Sequence, residues 1–299
     1  MEPGAATRHE PRPGTAKANG VQFAYLEAGP ADGPLALCLH GFPDTALTWR
    51  HLLPVLAEAG YHAVAPWMRG YAPTEVPADG AYEQGALAAD ACALHEELGG
   101  DGRAVLIGHD WGAAAAYGAG AYQPDRWRAM VTMSMPPLGA MTEAFFSYDQ
   151  LRRSFYVFLF QLPLAEMALA LDGLSFIDRL WGDWSPGYEA ASDIAGVKEA
   201  LAAPENIEAA LGYYRAMFDP ARHVPQYADA RAAAGSTAPQ PTLYLHGDYD
   251  GCLSHDTMGD VLAHLATGSQ RATVKGAGHF LHLEQPDTVG ELVLDFLGR

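Results

Sequence analysis

The chain has 299 residues, 49% of them hydrophobic, 10% aromatic and 18% charged, which is enough apolar material for one sizeable core. A formal net charge of -18 sets it against phosphate backbones and anionic membrane surfaces, and so against nucleic acid and membrane partners. Its three cysteines, Cys38, Cys92 and Cys252, are too scattered for a disulfide framework or a close-paired zinc site and read as buried thiols in a reducing, cytoplasmic compartment.

Residues 1–20 are polar and rich in Pro, Gly and Ala, without the apolar stretch of a signal peptide or anchor, and are expected to form a flexible N-terminal tail. From residue 21 strand-like and helix-like runs alternate: "VQFAYLEAG", "LALCLHG", "TWRHLLPVLAEAG", "YHAVAPW", "ALAADACALHEELGG", "RAVLIGHD", "AAAAYGAGAY" and "WRAMVTMSM". This βαβ order predicts an α/β fold, a mostly parallel sheet flanked by helices on both faces. From about 140 to 235 the pattern turns helical and aromatic-rich, so residues 138–237 are predicted to be an inserted helical cap, dividing a core made of 21–137 and 238–299. Within it "FYVFLFQLPLAEMALALDGL", 155 to 174, is interrupted by Gln161, Pro163 and Glu166 and reads as a buried or ligand-facing helix, not a span. "PTLYLHG" and "RATVKGAG" resume the strands, each followed by a helix pattern, "DTMGDVLAHL" and "DTVGELVLDFL".

The pentapeptide "GHDWG", 108 to 112, stands between a strand and a helix, where small residues permit a strained turn that lifts the central Asp110 above the sheet edge. A lone Asp there would also serve as a helix N-cap. Other motifs favour chemistry. "LCLHGFPDTALTWR" puts Phe42 just after an earlier strand, where its N–H and that of Trp111 form a candidate oxyanion hole. "HGDYDG" puts Asp250 three residues past Gly247, and "GAGHFLH" puts His279 directly after the last strand, so nucleophile, acid and histidine follow one another in chain order. Asp248 is the neighbouring carboxylate set aside on that spacing. His109 is expected to point away from Asp110 and to pack.

These residues resemble the α/β-hydrolase family, in its Asp-nucleophile branch of epoxide hydrolases and haloalkane dehalogenases, through "HGFP", "MRGYAPT", "GHDWG" and "GAGH". Trp67 departs from that pattern, in which an Asp is more usual. The resemblance implies an α/β-hydrolase fold with a cap and no metal or organic cofactor. An ionised Asp110 can attack a carbon electrophile without a base, which leaves His279, oriented by Asp250, to activate the water that cleaves the resulting ester. "FYVFLFQLP" and "LGYYRAMFD" are similar to the two cap-tyrosine motifs of epoxide hydrolases and place Tyr156 and Tyr214, with Tyr213 as the fallback, as proton donors to the opening epoxide. The dehalogenase alternative needs N–H donors for a halide, Trp111 with Trp181 or Trp184, because Phe42 offers no polar side chain. Fluoroacetate dehalogenases carry Arg where Trp111 stands, which disfavours a carboxylate substrate. The expectation is an epoxide hydrolase acting on a small apolar epoxide, with haloalkane dehalogenase or a ligand-binding protein as alternatives, and a homodimer left open.

Overall fold

The computed structural model describes residues 9–256 and 259–298. One sheet holds β1 (Arg12–Ala18), β2 (Val21–Ala28), β3 (Leu35–Leu39), β4 (His62–Pro66), β5 (Val105–His109), β6 (Ala129–Met133), β7 (Thr242–Gly247) and β8 (Gln270–Val274), in the order β1-β2-β4-β3-β5-β6-β7-β8. The pairs β1–β2 and β2–β4 are antiparallel, and every other pair is parallel. Parallel strands need covering on both faces, and their side chains divide accordingly. Leu35, Leu37 and Leu39 of β3 enter one apolar cluster while Ala36 and Cys38 enter the other.

The helices are α1 (Leu52–Glu58), α2 (Gln84–Glu97), α3 (Trp111–Tyr122), α4 (Leu138–Phe145), α5 (Tyr148–Arg153), α6 (Phe155–Leu159), α7 (Ala165–Ala170), α8 (Ser175–Trp184), α9 (Ala191–Ala200), α10 (Pro204–Phe218), α11 (Ala228–Ala234), α12 (Leu281–Glu284) and α13 (Pro286–Leu297). Helices α2 and α3 cover one face of the sheet, and α1 and α13 the other. Between β6 and β7, which pair directly, the chain makes the whole excursion α4 to α11. Its last helix, α11, packs on α2 and α3 of the sheet-covering layer: a Cβ on Gly85 would strike the Arg231 and Tyr227 backbone.

Three expectations are corrected. The tail of 1–20 is not loose throughout, because Arg12–Ala18 pair along β2 as an edge strand whose Ala16 and Ala18 are buried; residues 1–8 lie outside the described residues. The run 155–174 is not one helix but α6 and α7, parted around Pro163, which cannot continue a helix. The helix pattern "DTMGDVLAHL" yields only a 3-10 turn at Val261–His264, since Val261 is its one buried anchor; Thr257 and Met258 lie outside the described residues. No helix among the described residues is long and apolar enough to cross a membrane.

Candidate active site

Strand β5 ends at His109 and α3 begins at Trp111, so Asp110 turns the chain alone, at φ 51 and ψ -120. That backbone is costly for a side chain with a Cβ, and the surroundings enforce it. A Cβ on Gly112 would lie 2.0 Å from the Leu39 carbonyl oxygen, one on Gly108 2.3 Å from the Gly112 carbonyl oxygen, and one on Gly41 2.4 Å from Asp110 Cβ. The elbow is therefore glycine-lined because three backbone segments meet there.

Asp110 is buried, and the Phe42 N–H donates to its Oδ1 at 2.9 Å. The Phe42 loop is held by His40: Met68 N–H donates to His40 Nε2 at 2.9 Å, and His40 Nδ1 donates to the Gly41 carbonyl at 2.9 Å. Burial pushes His40 down to about 4, so it stays a neutral strut. Trp111 is the first residue of α3 and its N–H belongs to the unsatisfied positive end of that helix.

His279 lies with Nε2 3.7 Å from Asp110 Oδ2 and Nδ1 3.0 Å from Asp250 Oδ2. Its Nε2 has no hydrogen-bond partner among the described residues, which leaves room at that nitrogen for a reacting molecule. Its peptide is tied at both ends: the N–H donates to the Trp184 carbonyl at 3.0 Å, and the carbonyl accepts from Ser134 Oγ at 2.7 Å and from His109 Nε2 at 2.9 Å. His109 thus braces the histidine loop from behind, and its ring makes no bond to Asp110. Asp250 is fixed by an Asx turn in which Oδ1 accepts from the N–H groups of Cys252 at 2.7 Å and Leu253 at 2.9 Å. Asp248 instead accepts from Gly276 N–H at 2.8 Å, on the outer side of the strand end.

The charges answer to that geometry. Burial alone would raise the Asp110 and Asp250 carboxyls, but the His279 imidazolium beside them, with the amide donors, holds both below the ordinary carboxylate value. Burial would lower His279, yet the two carboxylates raise it to about 10.

A cavity of about 460 Å³ opens over Asp110 and is lined by Trp111, Met135, Leu138, Phe145, Tyr156 and Tyr214 among others. Tyr156 and Tyr214 stand ring to ring, 5.7 Å between centroids at 83°, and Phe42 and Trp111 pack on Tyr214. The Tyr156 hydroxyl is 3.3 Å from Cys252 Sγ. Among the described residues the Tyr214 hydroxyl finds no hydrogen bond of normal geometry, although the Trp111 indole lies near enough to favour its ionised form a little. Burial first, and the Asp110 charge they face, push both phenols well up, so both stay protonated. Gln161, in the first tyrosine motif, donates to the Tyr214 carbonyl at 3.0 Å, and Arg215, after Tyr214, donates to the Phe160 carbonyl at 3.0 Å: the two motifs lock each other.

Tyr213 also borders the cavity, but its hydroxyl donates to the Arg69 carbonyl at 2.8 Å, below a fully buried Arg69–Asp90 ion pair. The Trp181 indole donates to the Pro43 carbonyl at 2.9 Å, and neither Trp181 nor Trp184 lines the cavity. Trp184 packs edge-on against His279 and at a tilt against Tyr156. Cys252 is buried as the sequence predicts, but its contact with Tyr156 is not foreseen there; the signal for it is its place two residues after Asp250, inside the same Asx turn.

Residues 34–286 match the family described as alpha/beta hydrolase fold. The chain is 33% identical to "Epoxide hydrolase A" of Mycobacterium tuberculosis over 93% of this chain and 95% of that one. The chain belongs to the α/β-hydrolase family, in its epoxide hydrolase branch. Mouse "Epoxide hydrolase 3" is 28% identical over 94% of this α/β hydrolase and 75% of its own length. Among solved structures, Epoxide Hydrolase A from Mycobacterium thermoresistibile superposes with a TM-score of 0.78 at 29% identity, covering 96% of this chain and 98% of that one. A Bacillus megaterium epoxide hydrolase in complex with an inhibitor gives a TM-score of 0.80 at 25% identity, covering 96% and 100%.

Proposed function

We propose that this α/β hydrolase converts an apolar epoxide to a vicinal diol through a covalent aspartyl ester on Asp110. The observation that carries this reading is the buried Asp110 carboxylate facing, across an apolar cavity, two buried and protonated tyrosine hydroxyls. Phe42 N–H engages Oδ1, which leaves Oδ2 to attack a ring carbon. The carbon–oxygen bond of the ring breaks as the ester bond forms, and the departing alkoxide takes a proton from Tyr214 or Tyr156.

Ester formation then changes the role of His279. Once Asp110 has lost its charge, one of the two carboxylates that raise the imidazole is gone, the imidazolium gives up its proton to restore the phenol, and Nε2 becomes a base. It removes a proton from water, the hydroxide adds to the ester carbonyl carbon, and the oxyanion forms on Oδ1 between the amides of Phe42 and Trp111. Collapse breaks the bond between the ester oxygen and the acyl carbon, the proton carried in on the added hydroxide passes to the expelled alkoxide, and the diol leaves with Asp110 again a carboxylate and His279 again an imidazolium. The helical insertion from α4 through α10 acts as the cap that excludes bulk water and brings both tyrosines.

Intact-protein mass spectrometry of His279→Gln after incubation with styrene oxide, and separately with a bromoalkane, tests this. The expected result is an adduct of the whole epoxide mapping to the peptide that contains Asp110. An alkyl adduct from the bromoalkane alone would make it a dehalogenase, against the engagement of the Trp181 indole with Pro43, and no adduct from either would leave a binding protein.

A further inference from the structure

Behind the catalytic groups, on the side away from the cavity, Asp44, His109 and His282 are all buried and each brings a potential ligand atom to within 4.8 Å of the others. Each also keeps one side-chain atom without a partner among the described residues: Asp44 Oδ2, His109 Nδ1 and His282 Nδ1. Asp44 Oδ2 and His109 Nδ1 are 3.9 Å apart. None of the three lines the cavity.

The other nitrogen of each imidazole is already held. His109 Nε2 donates to the His279 carbonyl, an atom that can only accept, so its proton sits on Nε2 and Nδ1 presents a lone pair. His282 Nε2 and Thr48 Oγ1 are 2.5 Å apart, and Trp49 stacks on the His282 ring at 4.7 Å, fixing its plane. An imidazole with one nitrogen anchored to a carbonyl or hydroxyl and the other unpartnered is the arrangement of metal-ligating histidines. Packing alone would not leave three polar atoms, each costing free energy when buried unpaired, in one cluster of residues.

We propose that Asp44, His109 and His282 form a structural site for a divalent transition-metal ion, zinc in the first instance. Two imidazole nitrogens and a carboxylate oxygen are a common zinc donor set, and a water completes it. Ligand atoms around tetrahedral zinc stand about 3.4 Å apart, so the Asp44–His109 pair closes by roughly half an ångström. Asp44 follows Phe42 by two residues, His109 precedes Asp110, and His282 follows His279 by three. One ion would tie together the three loops that carry the amide donor, the carboxylate and the imidazole. The site stands on these contacts and does not depend on which electrophile Asp110 attacks.

The full chain is expressed in defined medium supplemented with zinc or with cobalt, then purified without chelator, alongside His282→Gln and Asp44→Asn. The expected result is about one zinc per wild-type chain by inductively coupled plasma mass spectrometry and a clear loss of zinc in both variants. Cobalt-grown wild type should show visible d–d bands without a sulfur-to-cobalt charge-transfer band. Wild type carrying no more metal than the variants would overturn the proposal and leave water bridging the three atoms. A sulfur-to-cobalt band would also overturn it, because Asp250, Cys252 and His279 also bring ligand atoms within 4.8 Å of one another, and only that cluster contains a thiol. The cobalt spectrum needs wild type alone, so the test survives a variant that fails to fold.

Discussion

Tyr213 and Tyr214 are neighbours in sequence with opposite commitments, and their difference is the clearest test of roles at the scale of a residue. The Tyr213 hydroxyl is spent on the Arg69 carbonyl, whereas the Tyr214 hydroxyl faces the Asp110 carboxylate without a settled bond. Tyr214→Phe should slow ester formation by roughly 100-fold, read by single-turnover kinetics. Tyr213→Phe should leave that rate close to wild type and cost about 1 kcal/mol of stability, read by urea unfolding. Asp110→Asn, with no carboxylate to attack, should lose roughly 10³-fold or more in turnover while keeping the fold. The sequence points to Asp110, Asp250 and His279 because each follows a strand end in a fixed chain order. It names Tyr156 and Tyr214 only through resemblance, since periodicity cannot tell which of two adjacent tyrosines turns inward. Asp44, His109 and His282 are not legible as a group: they lie on a loop, the end of β5 and α12, 65 and 173 positions apart, and only the folded sheet brings them together.

At the scale of elements the turn at Asp110 depends on missing atoms. Gly112→Ala would drive a Cβ into the Leu39 carbonyl and should destabilise the fold by about 3 kcal/mol, the upper end for overpacking. Gly182→Ala, at an exposed position of helix α8 with nothing within 4 Å of the added Cβ, should stabilise by roughly 0.5–1 kcal/mol. Both are read from urea midpoints, and the contrast separates a clash from simple loss of glycine. Strands β2 to β8 and helices α1, α2, α3 and α13 were legible because their apolar runs are long or regularly spaced. Strand β1 was hidden by its composition, "RPGTAKA": Pro13 and Gly14 read as loop. They are tolerated because β1 has one neighbour only, and Gly14 makes room for the Tyr25 ring, which a Cβ there would approach to 2.3 Å.

Across the whole molecule, buried charge makes stability depend on pH. His279 titrates near 10 in the folded chain against about 6.5 unfolded, so its contribution is complete below pH 6.5 and fades as the pH rises to 10. Asp110 and Asp250, held below their ordinary value, contribute above about pH 3.9 and lose that contribution in acid. Maximum stability from this cluster falls between the two. His279→Gln should therefore cost about 3–5 kcal/mol at pH 6, where it leaves two buried carboxylates uncompensated, and the gap to wild type should close as the pH approaches 10. Urea unfolding of both proteins across that range measures it. The pairing of β6 directly with β7 has a consequence for the history of such molecules. The stretch between those strands closes a loop whose ends are already neighbours, and closure cost grows only with the logarithm of length. Extending a connection of about 10 residues to about 100 adds roughly 2 kcal/mol, so the sheet can accept one insertion after another without rebuilding the edge that carries Asp110.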